Sequence, residues 1–91
     1  MEDLGAPMSY LTLEPGTPVF SQEGTKVGKV ARVLAEGAAD IFDGIVIERG
    51  LLPIGAERFV AAEKIRQIYE RGVVLDLAES EVDHLPPRAE R

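Results

Sequence analysis

The sequence predicts a small all-β domain, with six short antiparallel strands closed into a barrel and a short C-terminal helical turn. Three observations predict it. Ile45-Val46-Ile47, inside the run from Ile41 to Gly50, is branched on both faces, as a strand covered on both sides would be. Turn signals recur every ~8 to 12 residues with little helical periodicity, which is the spacing of sandwiches and barrels. In so small a sheet, closure also removes the exposed strand edges. The 91 residues make one domain. At this size it buries only about 60 to 65 percent of the surface that its unfolded chain exposes. The chain has no cysteine, so neither disulfides nor thiolate metal sites supplement that core.

Taken in order, residues 1–8 carry Glu2, Asp3, Gly5 and Pro7 without an apolar period and are expected to form a flexible N-terminus. Residues 9–85 form the domain. Tyr10-Leu11-Thr12-Leu13 is rich in strand formers and is closed by Pro15-Gly16, so a first strand is expected there. Thr17 to Ser21 resumes the strand, with Pro18 restricted to an edge or a strand start because it cannot donate to a ladder. Gln22-Glu23-Gly24 makes a turn. From Thr25 to Leu34, the spacing of Val27, Val30, Ala31 and Leu34 is that of an amphipathic helix. Gly24 and Gly28 weaken a helix, however, and Thr25, Val27, Val30 and Val33 prefer strands. A strand with a bulge at Gly28 is therefore expected.

Ala35 to Asp40 reads as a loop of small residues, Ile41 to Gly50 as a β-rich run, Leu51 to Gly55 as a Gly/Pro-bounded apolar loop, and Ala56 to Val60 as a second β-rich run. Ala61 to Lys64 ends that strand in a turn or a single helical turn. Ile65 to Tyr69 and Val73 to Ala78 form a hairpin around Glu70-Arg71-Gly72, with Val73, Leu75 and Leu77 on one face. Ser80 is expected to cap one helical turn, with Asp83 three positions on and Pro86-Pro87 ending it. Residues 86–91 are expected to be a solvated, flexible tail.

Ten Lys and Arg against sixteen Asp and Glu leave a formal charge of -6. This favours solubility and opposes binding to phosphate backbones or anionic lipid. Lys26, Lys29 and Arg32 come closest to a basic cluster, among too many carboxylates to make a nucleic-acid footprint. No apolar run approaches the ~18 to 20 residues of a membrane span, and the acidic start is unlike a signal peptide. A soluble, cytoplasmic protein is expected.

Gly16-Thr17-Pro18-Val19-Phe20 followed by Gly24-Thr25-Lys26-Val27-Gly28-Lys29-Val30 resembles the opening of the PRC-barrel domain. The stretch from Ile45 to Gly55, then Arg58 to Ile65, is similar to that family's apolar strand, Gly-bounded loop and final apolar segment, with Ala62 standing where the family pattern has proline. The similarity spans about Thr12 to Leu85. It is carried by glycines and valines, which specify backbone and core rather than chemistry. The resemblance implies a six-stranded barrel that serves as a protein-contact module. Such barrels occur in the photosynthetic reaction centre H subunit and in the C-terminal half of RimM-type ribosome maturation factors.

Candidate chemistry is sparse. His84, the single histidine, lies near Glu79, Glu81 and Asp83, a composition that could hold a divalent cation. The plainer reading is acidic residues at a helix start, with their charges solvated. Ser80 has no nucleophile elbow around it and a capping role explains it. Gly24 to Lys29 lacks the length and the hydroxyl of a phosphate loop. No catalytic residue, cofactor or metal site is expected, and the chain is read as a non-enzyme. The informative stretch is Leu51-Leu52-Pro53-Ile54, four apolar residues between two glycines. It is either a lid that completes the core or a contact surface for a protein partner. The two readings coincide in a homodimer. The alternative function is an RNA-linked accessory role like that of the ribosome-maturation barrel.

Overall fold

The computed structural model describes residues 3–36, 41–49 and 57–86, the side chain of Glu36 excepted. Six strands follow in chain order: β1 (Pro18–Phe20), β2 (Lys26–Glu36), β3 (Ile41–Glu48), β4 (Glu57–Ala61), β5 (Ile65–Tyr69) and β6 (Gly72–Leu75). They form one sheet in the order β4-β3-β2-β1-β6-β5, and a four-residue helix, α1 (Glu79–Val82), follows. The all-β class is therefore observed, but two finer expectations are corrected. The sheet is open, ending at β4 and β5, rather than closed into a barrel. It is also mixed rather than antiparallel, because β1 pairs with β6 in the parallel sense, Val19 against Val73 and Phe20 against Val74.

The parallel pair has a cause in the chain path. β1 to β4 alternate in direction, each antiparallel to its predecessor, and β6 is antiparallel to β5. Since β6 runs with β1, β5 must run with β4. No reversal separates β4 from β5, only the 3-10 turn Ala62–Lys64. The expected turn after Ala61 is present, and it acts as a corner instead of a hairpin. A flat six-stranded sheet would hold its edges about 24 Å apart. Four Cα steps from Ala61 to Ile65 reach at most about 15 Å. The sheet must therefore curl until its two edges approach at this corner.

Bulges supply the curl. Against β1, the partners of Val19 and Phe20 are Gly28 and Lys26, which leaves Val27 as the extra residue. Against β3, Val30 and Arg32 face Ile47 and Val46, which leaves Ala31 extra. Each insertion flips the side-chain parity and adds local twist. This is why Val27, Val30 and Val33 all turn to the core at intervals of three. The helix-like spacing in the sequence is the signature of a doubly bulged strand. The bulge expected at Gly28 is found beside it, and a Cβ at Gly28 would sit 2.3 Å from the Glu48 carbonyl oxygen, so only glycine fits.

One face of the sheet carries the main core: Val19, Val30, Ile45, Ile47, Val60, Ile68, Val73 and Leu75, closed over by Leu13, Leu77 and Val82. The opposite face carries a smaller cluster of Leu4, Phe20 and Val74, with Tyr69 packed against it. Tyr10-Leu11-Thr12 is a 3-10 turn, not the expected strand. Ser9 Oγ accepts the Leu11 N–H at 3.0 Å and Thr12 Oγ1 donates to the Ser9 carbonyl at 2.9 Å, local bonds that outcompete a ladder. The turn lays the Tyr10 ring on Phe42 of β3, with centroids 4.6 Å apart.

Described residues near each end of the chain meet a sheet edge. Residues 3–8, expected to lie free, run along β5: Met8 N–H donates to Ile68 O, Glu70 N–H to Ala6 O and Arg71 N–H to Leu4 O, at 2.8 to 3.0 Å. Pro7 pairs with Tyr69 at a position where the ladder asks for no N–H from it. At the other edge, Phe59 N–H of β4 donates to Pro86 O at 2.8 Å. Pro86, assigned to the free tail by the sequence, is thus engaged.

Candidate functional site

Leu51, Leu52, Pro53 and Ile54, the expected contact residues, lie outside the described residues. What is described is how their flanks are held. Arg49 closes the β3 side. Its Nε donates to Val27 O at 2.8 Å and its Nη1 pairs with Asp83, so the end of β3 is tied to both β2 and the segment after α1. Glu57 opens the β4 side. Its carboxylate lies 3.7 Å from Arg32 on β2, and its carbonyl accepts from Arg58 Nη1 at 2.9 Å. The segment therefore joins two anchored points and leads directly into an end strand of the sheet.

The outward face of β3 and β4 is apolar at its centre. Val46 is fully buried on the side opposite Ile45 and Ile47 and pairs with Phe59. The Phe59 ring reaches diagonally over Gly44, whose Cβ position would lie 3.0 Å from Phe59 Cε1 and 2.1 Å from Val60 O. With φ at +150°, Gly44 is a position that an L side chain rarely adopts.

The residues around His84 do not converge. Glu81 Oε1 accepts the Ala78 N–H at 2.7 Å, Asp83 pairs with Arg49, and His84 Nδ1 lies 3.0 Å from the Ser80 carbonyl oxygen. Among the described residues, no group of three His, Cys, Asp or Glu could hold a metal ion. Ser80 is corrected from helix cap to helix interior. The N-cap is Ala78, and carboxylates take the capping bonds: Glu81 as above, and Glu23 Oε1 from the Glu79 N–H at 3.3 Å.

Glu23 is the group that the sequence reading missed. It sits in the turn before β2, where the fully buried Ser21 organises the loop by accepting the Glu23 and Thr25 N–H groups on its Oγ, each at 3.2 Å. The Ser21 hydroxyl, ahead of smaller contributions from the backbone N–H groups of Glu23 and Glu79 and from Gln22, holds the Glu23 carboxyl below its ordinary value of 4.5. A turn signal located this loop, but nothing local in the sequence joins residue 23 to residue 79. Gly24, with φ at +91°, confirms the turn that the sequence placed there.

Basic side chains Lys26, Lys29 and Arg32 are exposed along β2, and Arg32 is committed to Glu57. No helix of the described residues is long and apolar enough to cross a membrane. No protein-family model matches the sequence, and no curated protein matches it.

Proposed function

We propose that the chain is a non-enzymatic protein-interaction module, related to the PRC barrel in its glycine and valine framework, that acts in the cytoplasm by assembling with a second copy of itself. The contact is made at the β3–β4 end by Leu51, Leu52, Pro53 and Ile54. One observation carries this reading. The apolar segment is the connection that enters β4, an end strand of an open sheet, between flanks pinned by Arg49 and by the Arg32–Glu57 pair. Phe59 N–H of β4 is already taken by Pro86 O, so the contact rests on side-chain area rather than on an added strand. An apolar connection beside β4 offers area that a neighbour can bury. The charge of -6 weighs against the RNA-linked alternative.

The test is the solution mass by light scattering over a concentration series, for the wild type and for a Leu52→Ser, Ile54→Ser double variant, with thermal unfolding as a check on the fold. A wild-type dimer that becomes a folded monomer in the variant supports the assembly reading. A wild type that is monomeric at every concentration overturns self-association. A variant that loses its fold makes the segment a lid on the core.

A further inference from the structure

The opposite edge of the sheet holds a built seat. Leu4 is buried in a recess formed by Phe20 and Val74, with Tyr69 alongside, and lies against Gly72, where a Cβ would come within 3.0 Å of both Leu4 methyl carbons. Gly5 follows with φ at +89°, and a Cβ there would meet Glu70 Oε1 at 2.4 Å, so a side chain at this position is refused both by the backbone and by its neighbour. Before Leu4, the carbonyl of Asp3 accepts from Arg71 Nη2 at 3.3 Å and its carboxylate lies 4.0 Å from the same guanidinium. After Gly5, Ala6 N–H donates to Glu70 Oε1 at 3.2 Å, and Pro7 pairs with Tyr69 at a position that needs no N–H. Each position of the segment thus has a physical reason. Leu4 enters the small cluster and Met8 packs partly buried against the main core, while Asp3, Ala6 and Pro7 are exposed.

We propose that the groove between β5, the β5–β6 turn and Phe20 is a strand-acceptor site for an extended peptide of the form acidic–Leu–Gly–any–Pro, and that residues 3–8 are its resident, displaceable occupant. The partner is a protein segment that adds a strand to β5. Its leucine fills the recess, its glycine passes Glu70, and its acidic residue faces Arg71. Main-chain bonds supply adhesion and the recess supplies selectivity, the division of labour in strand addition. This proposal concerns the β5 edge and stands independently of the contact at β4.

The experiment is amide hydrogen exchange by NMR on the full chain. The Glu70 and Arg71 amides, which donate to residues 6 and 4, report the groove, and the Val30 amide, which donates to Thr17 O, reports the fold. In the wild type, the two groove amides should exchange at least about tenfold faster than Val30, because the segment opens without the rest. Equal rates would mean that the segment leaves only with global unfolding and would overturn the proposal. In Leu4→Asp, groove protection should fall while Val30 stays protected. Blocked Asp-Leu-Gly-Ala-Pro-Met peptide at millimolar concentration should then restore it, and the same peptide with Asp in place of Leu should not. Failure of the first peptide to restore protection in a folded variant sinks the idea. If Leu4→Asp unfolds the chain, the wild-type rates decide alone. A wild-type dimer that survives the Leu52→Ser, Ile54→Ser change but is lost in Leu4→Asp would make a second copy the occupant and overturn the assignment to a separate peptide.

Discussion

The two end strands of this sheet are covered by opposite means. At β5, a stretch of main chain lies alongside and forms three backbone hydrogen bonds, with Leu4 seated in the small cluster and Met8 packed against the main core. At β4, the described main chain contributes a single bond, from Phe59 N–H to Pro86 O, and among the described residues arginines do much of the remaining work. Arg58 satisfies the Glu57 carbonyl and Arg32 holds the Glu57 carboxylate. A main-chain cover can be exchanged for any other strand that fits the recess. A side-chain cover is particular to its residues, and Pro86, which has no N–H, cannot pass a ladder on to a further strand.

Three measurements break or sharpen that contrast. The largest effect is expected at Gly44, where Gly44→Ala puts a methyl against Val60 O and forces an unfavourable φ. The β3–β4 ladder should weaken and the protein should lose about 2 to 4 kcal/mol by urea denaturation. A loss under about 1 kcal/mol would mean that the β4 side yields as readily as the β5 side. Leu4→Ala should cost about 1 to 2 kcal/mol. That is less than a core leucine usually costs, because Leu4 sits in the small cluster rather than in the main core. A full core-sized loss would make the β5 cover as integral as β4 itself.

The smallest effect concerns acid. Because the Glu23 carboxyl is held below 4.5 in the folded protein, its contribution is complete above that pH and is lost as pH falls through the folded-state value. Glu23→Gln should lower the thermal midpoint slightly near neutrality and converge on the wild type as pH falls below about 4.5, so that its decline in acid is flatter. Unchanged acid slopes would remove Glu23 as a fastener of α1.

What could be read from the sequence follows from how far each signal reaches along the chain. The β5–β6 hairpin was legible because its turn and the alternating Val73, Leu75 and Leu77 lie within ten residues of each other. β2 was legible as a strand despite helical spacing because Gly28 signalled a bulge. The parity of the sheet was not, since Ala61 to Lys64 reads equally as a reversal or a corner, and only the pairing of Val19 with Val73 tells them apart. The Tyr10–Thr12 turn was hidden by strand-forming residues whose capping neighbours Ser9 and Thr12 prevailed. The docking of Leu4 depends on a recess assembled from residues 20, 69 and 74, and no local pattern announces such a recess. Of the candidate contact segment, the sequence supplied the composition, and the structure supplied the anchored flanks and the end strand that it enters.

The corner at Ala62–Lys64 also sets the order of difficulty in folding. Because the chain turns there without reversing, the described strands of the two halves are hydrogen-bonded to each other through the ladder between β1 and β6, which joins Val19 to Val73, 54 positions apart (73 minus 19). From an open chain, closing that loop costs about 2.5 kcal/mol more entropy than closing the three-residue separation of Tyr69 and Gly72. The β1–β6 ladder is thus the late step of a high contact-order route, and Val19→Ala should accelerate unfolding more than it slows refolding in a chevron analysis.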